Sequence, residues 1–315
     1  FKFSGNIWAM KEGSAVFPNE PLIRIEADTV EALLLEGLIL NMINFQTLIA
    51  TKTARIWLAS KKGAIMEFGL RRAQGNDGAM SATRAAYIGG AFGTSNSLAA
   101  KELGIPALGT MAHSWIMSFK NEEDAFQAYA DMYPDNSIFL IDTYDTLRSG
   151  IVNAIKVGKR LQEKGKNFGV RLDSGDIYYL SKDVRKRLDE AGCPTAKISV
   201  SNELTEEIVE SLVQNNAPID WGVGTHMVTG GNEASLTGVY KMAARKSLGE
   251  TEWTPVMKFS DNPAKMTNPA CKQVWRLYNS DGTFKADVLT LEDEKIEEGV
   301  EQTFYHPAND YQNFT

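Results

Sequence analysis

Little in this sequence is available for soft-metal or oxidative chemistry. Its 315 residues hold two cysteines, Cys193 and Cys271, and three histidines. Two cysteines make neither a disulfide framework nor a zinc site, and they fit a reducing compartment, so a cytoplasmic protein is expected. Three histidines exclude a multi-histidine metal centre. Positive charge is also short: 33 Lys+Arg against 40 Asp+Glu leave a net charge of −7. No broad basic face is therefore expected for nucleic acid, and an anionic substrate must be held by a few local cations. No basic-then-apolar leader opens the chain. The longest apolar stretch, ALLLEGLILNMINF, is interrupted by Glu36 and by itself is too short to span a bilayer, so no membrane partner is expected. The first residue is Phe1 rather than Met. The opening turn reads like the middle of a protein: a fragment, a processed chain, or a numbering that starts late.

What is present suits a globular protein with a large core, 43% hydrophobic and 23% charged. The length suggests two domains of roughly 150 residues, or one barrel with an appended piece. Residues 1–27 carry strand-like pieces (SAVFPNEPLIRIEAD) punctuated by Gly13 and Pro18. From Thr29 to about Ser60 the apolar spacing predicts a helix, with Asp28 as its N-cap. A rhythm then sets in. The short apolar runs AIMEFGL, IPALGT, SIFLIDT, NFGVRLD, AKISVSN and IDWGVGT are each followed by a candidate helix. Such helices include EEDAFQAYADMY, IVNAIKVGKRLQEKG, YLSKDVRKRLDEAG and LTEEIVESLVQNN. This alternation predicts parallel β/α units, in an open sheet or a barrel. From about Glu252 it stops, and KQVWRLYNSDGTFKADVLTL reads as a hairpin around Ser280-Asp281-Gly282.

The chemically capable residues fall where the apolar runs stop: Arg71 and Arg72, Thr110 and His113, Asp142 and Asp145. Next come Arg171, Asp173 and Asp176, then Ser201 and Asn202, then Gly224 and Thr225. In a β/α barrel the C-terminal strand ends converge on one face, where active sites are built. Loops are polar in any case, but that does not explain Arg and His entering just as an apolar run ends. In WGVGTHM, Gly222 and Gly224 allow a tight turn that presents N–H groups, and Thr225 adds a hydroxyl. The arrangement suits a phosphate, with an ordinary turn as the plainer alternative. FGLRRAQGNDGA sets two guanidiniums before a Gly-rich turn, and Arg pairs bidentately with carboxylate or phosphate. His113 sits beside Trp115, and a structural histidine is the plainer reading there. Asp173 could bind a hard cation such as Mg²⁺, which takes one or two carboxylates plus substrate phosphate oxygens. That cation would offset charge on the substrate that Arg171 holds. From the residues alone, this is a β/α enzyme for a small phosphorylated anion, with Mg²⁺.

Several blocks, read together and in order, carry a resemblance: SGNIWAMKEG, NFQTLIATKTAR, FGLRRAQGNDGAMSATRAAYIGGAFGTSN, GTMAHS, DTYDT, RLDSGD, SNEL, GVGT and GVYKMA. From about Phe3 to about Arg276 the chain resembles the nicotinate phosphoribosyltransferase family. The resemblance implies an irregular α/β, TIM-like barrel with a second α+β domain built from both ends of the chain. On this chain the flanking domain would be residues 1–62 and 256–315, and the barrel 63–255. It implies the joining of nicotinate to phosphoribosyl pyrophosphate in NAD biosynthesis, with ATP as co-substrate and Mg²⁺ as cofactor, in a homodimer. His113 of GTMAHS matches the family's transiently phosphorylated histidine, and Thr110 a nicotinate contact. Arg171 matches the arginine facing the nicotinate carboxylate and pyrophosphate, and Asp173 a carboxylate near the ribose and metal. Gly224 and Thr225 match the 5′-phosphate site. Arg72 and Asn202 are further substrate-binding candidates.

The sequence departs from the family pattern at two places. The family's N-terminal segment, with a tyrosine that stacks on the pyridine ring, does not precede Phe1, and Ala270 stands where glycine is expected. Two rival readings remain. One is a nicotinamide- or quinolinate-using relative on the same architecture, against which GTMAHS and FGLRRAQG speak. The other is an inactive fragment serving only binding or assembly, against which the intact strand-end motifs speak.

Overall fold

A computed structural model of the protein describes all residues apart from Pro218, residues 262–265, Pro307, Ala308 and Thr315; at residues 306 and 309–314 it describes the backbone path alone. The chain begins with an antiparallel pair, β1 (Asn6–Ala9) and β2 (Ile23–Glu26), and then enters helix α1 (Thr29–Ala59). Asp28 caps that helix as expected, its Oδ1 accepting the Val30 N–H at 2.9 Å. With 31 residues and a mean hydropathy of 1.5 in its most apolar part, α1 is long and apolar enough to cross a membrane. This differs from the interrupted 14-letter stretch read in the sequence, because the helix continues well past it. Its later turns are core: Leu48, Ile49, Thr53 and Ile56 are buried.

The β/α rhythm is present as β3 (Ile65–Glu67), a 3₁₀ turn at Leu70–Arg72, α2 (Gly75–Ile88), β4 (Gly93–Thr94), α3 (Ser97–Leu103) and α4 (His113–Met117). It continues as α5 (Glu122–Met132), β5 (Ser137–Leu140), α6 (Ile151–Glu163), β6 (Phe168–Leu172) and α7 (Ile177–Glu190). β7 (Lys197–Val200), α8 (Glu206–Gln214), β8 (Asp220–Val223) and α9 (Thr225–Thr229) complete it. The six strands form one parallel sheet in the order β4-β3-β8-β7-β6-β5. All four helices named from the sequence are there, as α5 to α8.

The sheet curls into a half-barrel, and among the described residues its edges β4 and β5 do not pair. The run IPALGT, expected as a strand, makes one bridge, Thr94 to Ala107. Pro106 lacks an N–H, so the ladder there is limited to Thr94 N–H to Pro106 O at 3.0 Å and Leu108 N–H to Thr94 O at 2.8 Å. The Gly-rich GNDGA, expected as a turn, opens α2 instead.

Period-2 alternation sorts β6 cleanly. Phe168, Val170 and Leu172 are buried, and Phe168 joins Phe139 and Phe126 in a stack with ring centroids 6.0 and 5.0 Å apart. The opposite face carries Gly169 and Arg171. Gly222 on β8 is required by close approach, since a Cβ there would lie 2.8 Å from the Phe68 ring.

The remaining strands are β9 (Ala244–Arg245), β10 (Thr254–Pro255), β11 (Lys272–Tyr278), β12 (Phe284–Leu291), β13 (Phe304–His306) and β14 (Asn309–Phe314), paired antiparallel two by two. β11 and β12 form the expected hairpin, with Gly282 at φ 80° in its turn. Ala270 adopts φ 69°, the left-handed conformation that glycine takes without strain. The turn is held by Lys272, whose Nζ donates to the carbonyls of Pro269 and Ala270 at 3.1 and 2.7 Å. Two compact units result, residues 1–40 with 239–315 and residues 41–238. The sheet unit thus takes in residues 41–62, placed in the flanking domain by the sequence reading, because the buried side chains of α1 lie there. It ends at Gly238, after α9 and before β9.

Candidate active site

The parallel register places Arg171 opposite Leu140 on β5 and Ser199 on β7. Arg171 is the penultimate residue of β6, on the face opposite Phe168, Val170 and Leu172. It is half-buried, and its Nη1 donates to the hydroxyl of Thr110. Its Nε is buried without a hydrogen-bond partner. Burial pushes its pKa down, while Asp173 and Asp142 push it up and Arg71 adds to the lowering. A guanidinium stays protonated in such a setting. It therefore presents a desolvated positive charge to whatever occupies the strand ends, a place for a carboxylate or a phosphate.

His113 is the first residue of α4. Its Nε2 lies 3.1 Å from Asp142 Oδ1, with the imidazole 41% exposed and the carboxylate 2%. Asp142 Oδ2 accepts the Asp173 N–H at 3.0 Å and the Ser174 hydroxyl at 2.5 Å. Both oxygens of Asp142 are thus engaged, and it joins the β5 end, the β6 loop and the histidine. The sequence placed Asp142 at a strand end without assigning it a role. Its signal was the acid that ends the apolar run SIFLID. The Thr110–Arg171 and His113–Asp142 contacts also tie residues 110–113 to the β5–β6 side of the half-barrel.

Asp173 has its Oδ1 taken by the Ser201 hydroxyl at 2.6 Å. No group of three or more His, Cys, Asp or Glu suited to a metal occurs among the described residues. A hard cation placed here would draw most of its ligands from water and substrate phosphates, with Asp173 the carboxylate nearest to hand.

Other expected residues lie at strand ends outside this hydrogen-bonded cluster. Arg71 and Arg72 are exposed on the 3₁₀ turn after β3. Gly224 and Thr225 open α9 after β8. Asn202 accepts the Glu203 N–H at 2.8 Å and lines a cleft of about 440 Å³ with Ile177, Tyr178 and Ile208. Two acids are helix caps: Asp176 at the start of α7 accepts the Tyr179 N–H at 3.0 Å, and Asp145, capping a π-helical turn at Thr146–Gly150 that leads into α6, accepts those of Leu147 and Arg148 at 3.0 and 2.8 Å. His226 faces Glu203 at 3.7 Å, and the side chain of His306 lies outside the described residues.

Glu67 escaped the sequence reading. It is 1% exposed, and accepts the Gly69 N–H and the hydroxyls of Thr94 at 2.5 Å and Thr83 at 3.1 Å. Those bonds fix the start of the arginine turn. Nothing in AIMEFGL distinguishes this glutamate from a solvent-facing strand residue.

Comparison with known proteins converges on one family. The profile of the Nicotinate phosphoribosyltransferase (NAPRTase) family matches residues 64–307. Nicotinate phosphoribosyltransferase of Bacillus subtilis (strain 168) is 44% identical over 306 residues, covering 96% of this chain; the chain spans 62% of that relative's length. The crystal structure of human nicotinic acid phosphoribosyltransferase superposes with a TM-score of 0.77 at 30% identity, over 94% of this chain and 65% of that one. Nicotinate-nucleotide pyrophosphorylase from Pyrococcus furiosus follows at a TM-score of 0.74 and 26% identity, over 94% and 70%. With a family profile covering most of its length and a relative 44% identical over 96% of it, the chain belongs to the nicotinate phosphoribosyltransferase family.

Proposed function

We propose that the protein transfers the phosphoribosyl group from phosphoribosyl pyrophosphate to nicotinate, forming nicotinate mononucleotide and pyrophosphate, with ATP hydrolysis coupled to the transfer. The observation that carries this reading is Arg171: a half-buried guanidinium at a strand end, steadied by Thr110. A pyridine bearing one carboxylate gains from that charge, whereas neutral nicotinamide gains little.

In the transfer, the pyridine nitrogen forms a bond to the ribose C1 as the bond from C1 to the pyrophosphate oxygen breaks, and positive charge develops on the sugar. The protein's task is to orient the ring and stabilise the departing anion. Arg171 and Thr110 hold the substrate, and Asp173 lies beside the developing positive charge. Gly224 and Thr225 take the 5′-phosphate at the start of α9, and Arg72 and Asn202 complete the anion contacts. Mg²⁺, held by Asp173 and substrate oxygens, would supply charge neutralisation for the pyrophosphate.

His113 accepts the ATP γ-phosphoryl: a P–N bond forms, a P–O bond breaks and ADP leaves. Asp142, accepting the Nε2–H hydrogen bond, holds the tautomer whose Nδ1 lone pair is the nucleophile. A later hydrolysis of that P–N bond returns the histidine and phosphate. A homodimer is part of the same reading.

The test is steady-state turnover of the full-length protein with nicotinate, nicotinamide and quinolinate, each with phosphoribosyl pyrophosphate, Mg²⁺ and ATP. Nicotinate is expected to be the preferred acceptor and ATP to raise its kcat/KM. Equal or greater turnover of either alternative would assign the site to that substrate instead.

A further inference from the structure

Asp173 is oriented by a side chain from a different strand. Ser201 follows the last residue of β7, and its N–H continues the ladder to Leu172 O at 3.0 Å. Since Arg171 pairs with Ser199, the alternation puts Ser201 level with Asp173 and on the same face. The Ser201 hydroxyl closes on Asp173 Oδ1 at 2.6 Å. On its other side Ser201 borders Gly222, where a Cβ would stand 3.2 Å from the Ser201 Cβ. The missing side chain at Gly222 leaves Ser201 room between β6 and β8.

We propose that Ser201 is a positioning residue for the phosphoribosyl site, fixing one oxygen of Asp173 so that the other is held ready for the sugar or its cation. Asp173 stands at the start of a loop that turns through Gly175 at φ 82°. Such a carboxylate would otherwise sample several rotamers, and ordering it on binding would weaken affinity. Here its N–H is tied to Asp142 at 3.0 Å and its Oδ1 to Ser201. Backbone and side chain are thus set before the substrate arrives. Ser201 acts through Asp173, the side chain its hydroxyl holds.

This inference rests on the phosphoribosyl-transfer reading, and its test separates the two. In the full-length protein, phosphoribosyl pyrophosphate is titrated calorimetrically in the presence of Mg²⁺ and without nicotinate. Ser201→Ala should weaken its binding about tenfold, as loss of a supporting contact around a ligand group does. Its thermal midpoint should match the parent's, and the KM for nicotinate should change much less. Ser201→Thr, which keeps the hydroxyl, should recover most of the affinity. In an Asp173→Ala background, Ser201→Ala should add nothing. Parent-like affinity in Ser201→Ala would overturn the inference and leave the proposed function standing, as would an undiminished extra loss on top of Asp173→Ala. A parent that binds no phosphoribosyl pyrophosphate would overturn the function itself, and the inference with it.

Discussion

Asp142 shows how much one buried carboxylate can organise. At 2% exposure it would be costly if unpaired, yet it takes bonds from His113, Ser174 and the Asp173 N–H. The histidine it faces is 41% exposed, which a phosphoryl acceptor requires and a structural histidine does not. His113→Asn is therefore expected to fold, to keep slow transfer and to lose ATP stimulation. Incubating the full-length parent with γ-labelled ATP should give an acid-labile, base-stable label that the variant lacks. ATP-stimulated turnover with Asn at 113 would rule out the phosphohistidine. The sequence singled out Arg171 and Asp173 because charges entering as an apolar run ends are rare in a purely structural strand, whereas the role expected of His113 came from the family resemblance. It could not single out Glu67 or the partnership of Asp142 with His113. Those depend on which strands become neighbours, and one-dimensional spacing does not carry that.

At the scale of elements, the amphipathic helices α5 to α8 and the β11–β12 hairpin were legible, since each follows from local periodicity or turn chemistry. The run IPALGT was misjudged because apolar content alone does not supply the ladder N–H that Pro106 lacks. The start of α2 was misjudged because Gly75 and Gly78 read as a turn, although the helix is carried by Ala79, Ala82, Thr83, Ala85 and Ala86 on its buried face. Within the hairpin, Arg276 and Asp287 face each other in register, with Nε to Oδ1 at 2.9 Å and Nη2 to Oδ2 at 2.7 Å. The Asp287 side chain is 6% exposed. Arg276→Met leaves that carboxylate without its cation and should cost about 3 kcal/mol in urea denaturation near neutral pH.

The hydrogen bonds from Arg276 hold the Asp287 carboxyl below its usual pKa. A depressed carboxylate stabilises the fold above its ordinary pKa, and that contribution is lost as pH falls through the lower folded value. The gap between parent and Arg276→Met should therefore be widest above about pH 4 and narrow in stronger acid. Glu20, pushed up mainly by burial and further by its hydrogen bond to Asp287, is lowered by Arg276; losing that cation raises it more in the variant, which widens the gap near neutral pH in the same direction. A gap that stayed constant into strong acid would show that the ion pair contributes nothing.

For the whole molecule, the alternation of strands and helices specifies a parallel α/β sheet but leaves open whether it closes. Closure depends on the edges, and here β4 has two residues and the segment beside it makes a single bridge. Thr110 and His113 reach across to Arg171 and Asp142 on the β5–β6 side instead, and those contacts help hold the half-barrel's mouth together. On the proposed function, this mouth receives a carboxylate-bearing pyridine at Arg171. The most direct test is kcat/KM for nicotinate in the full-length protein and its Arg171→Ala variant, at saturating phosphoribosyl pyrophosphate and ATP. Removing one partner of a desolvated charge pair costs on the order of 2–5 kcal/mol. A fall in kcat/KM of that size is expected, with the thermal midpoint little changed. An unchanged kcat/KM would remove Arg171 from the substrate site and contradict the account.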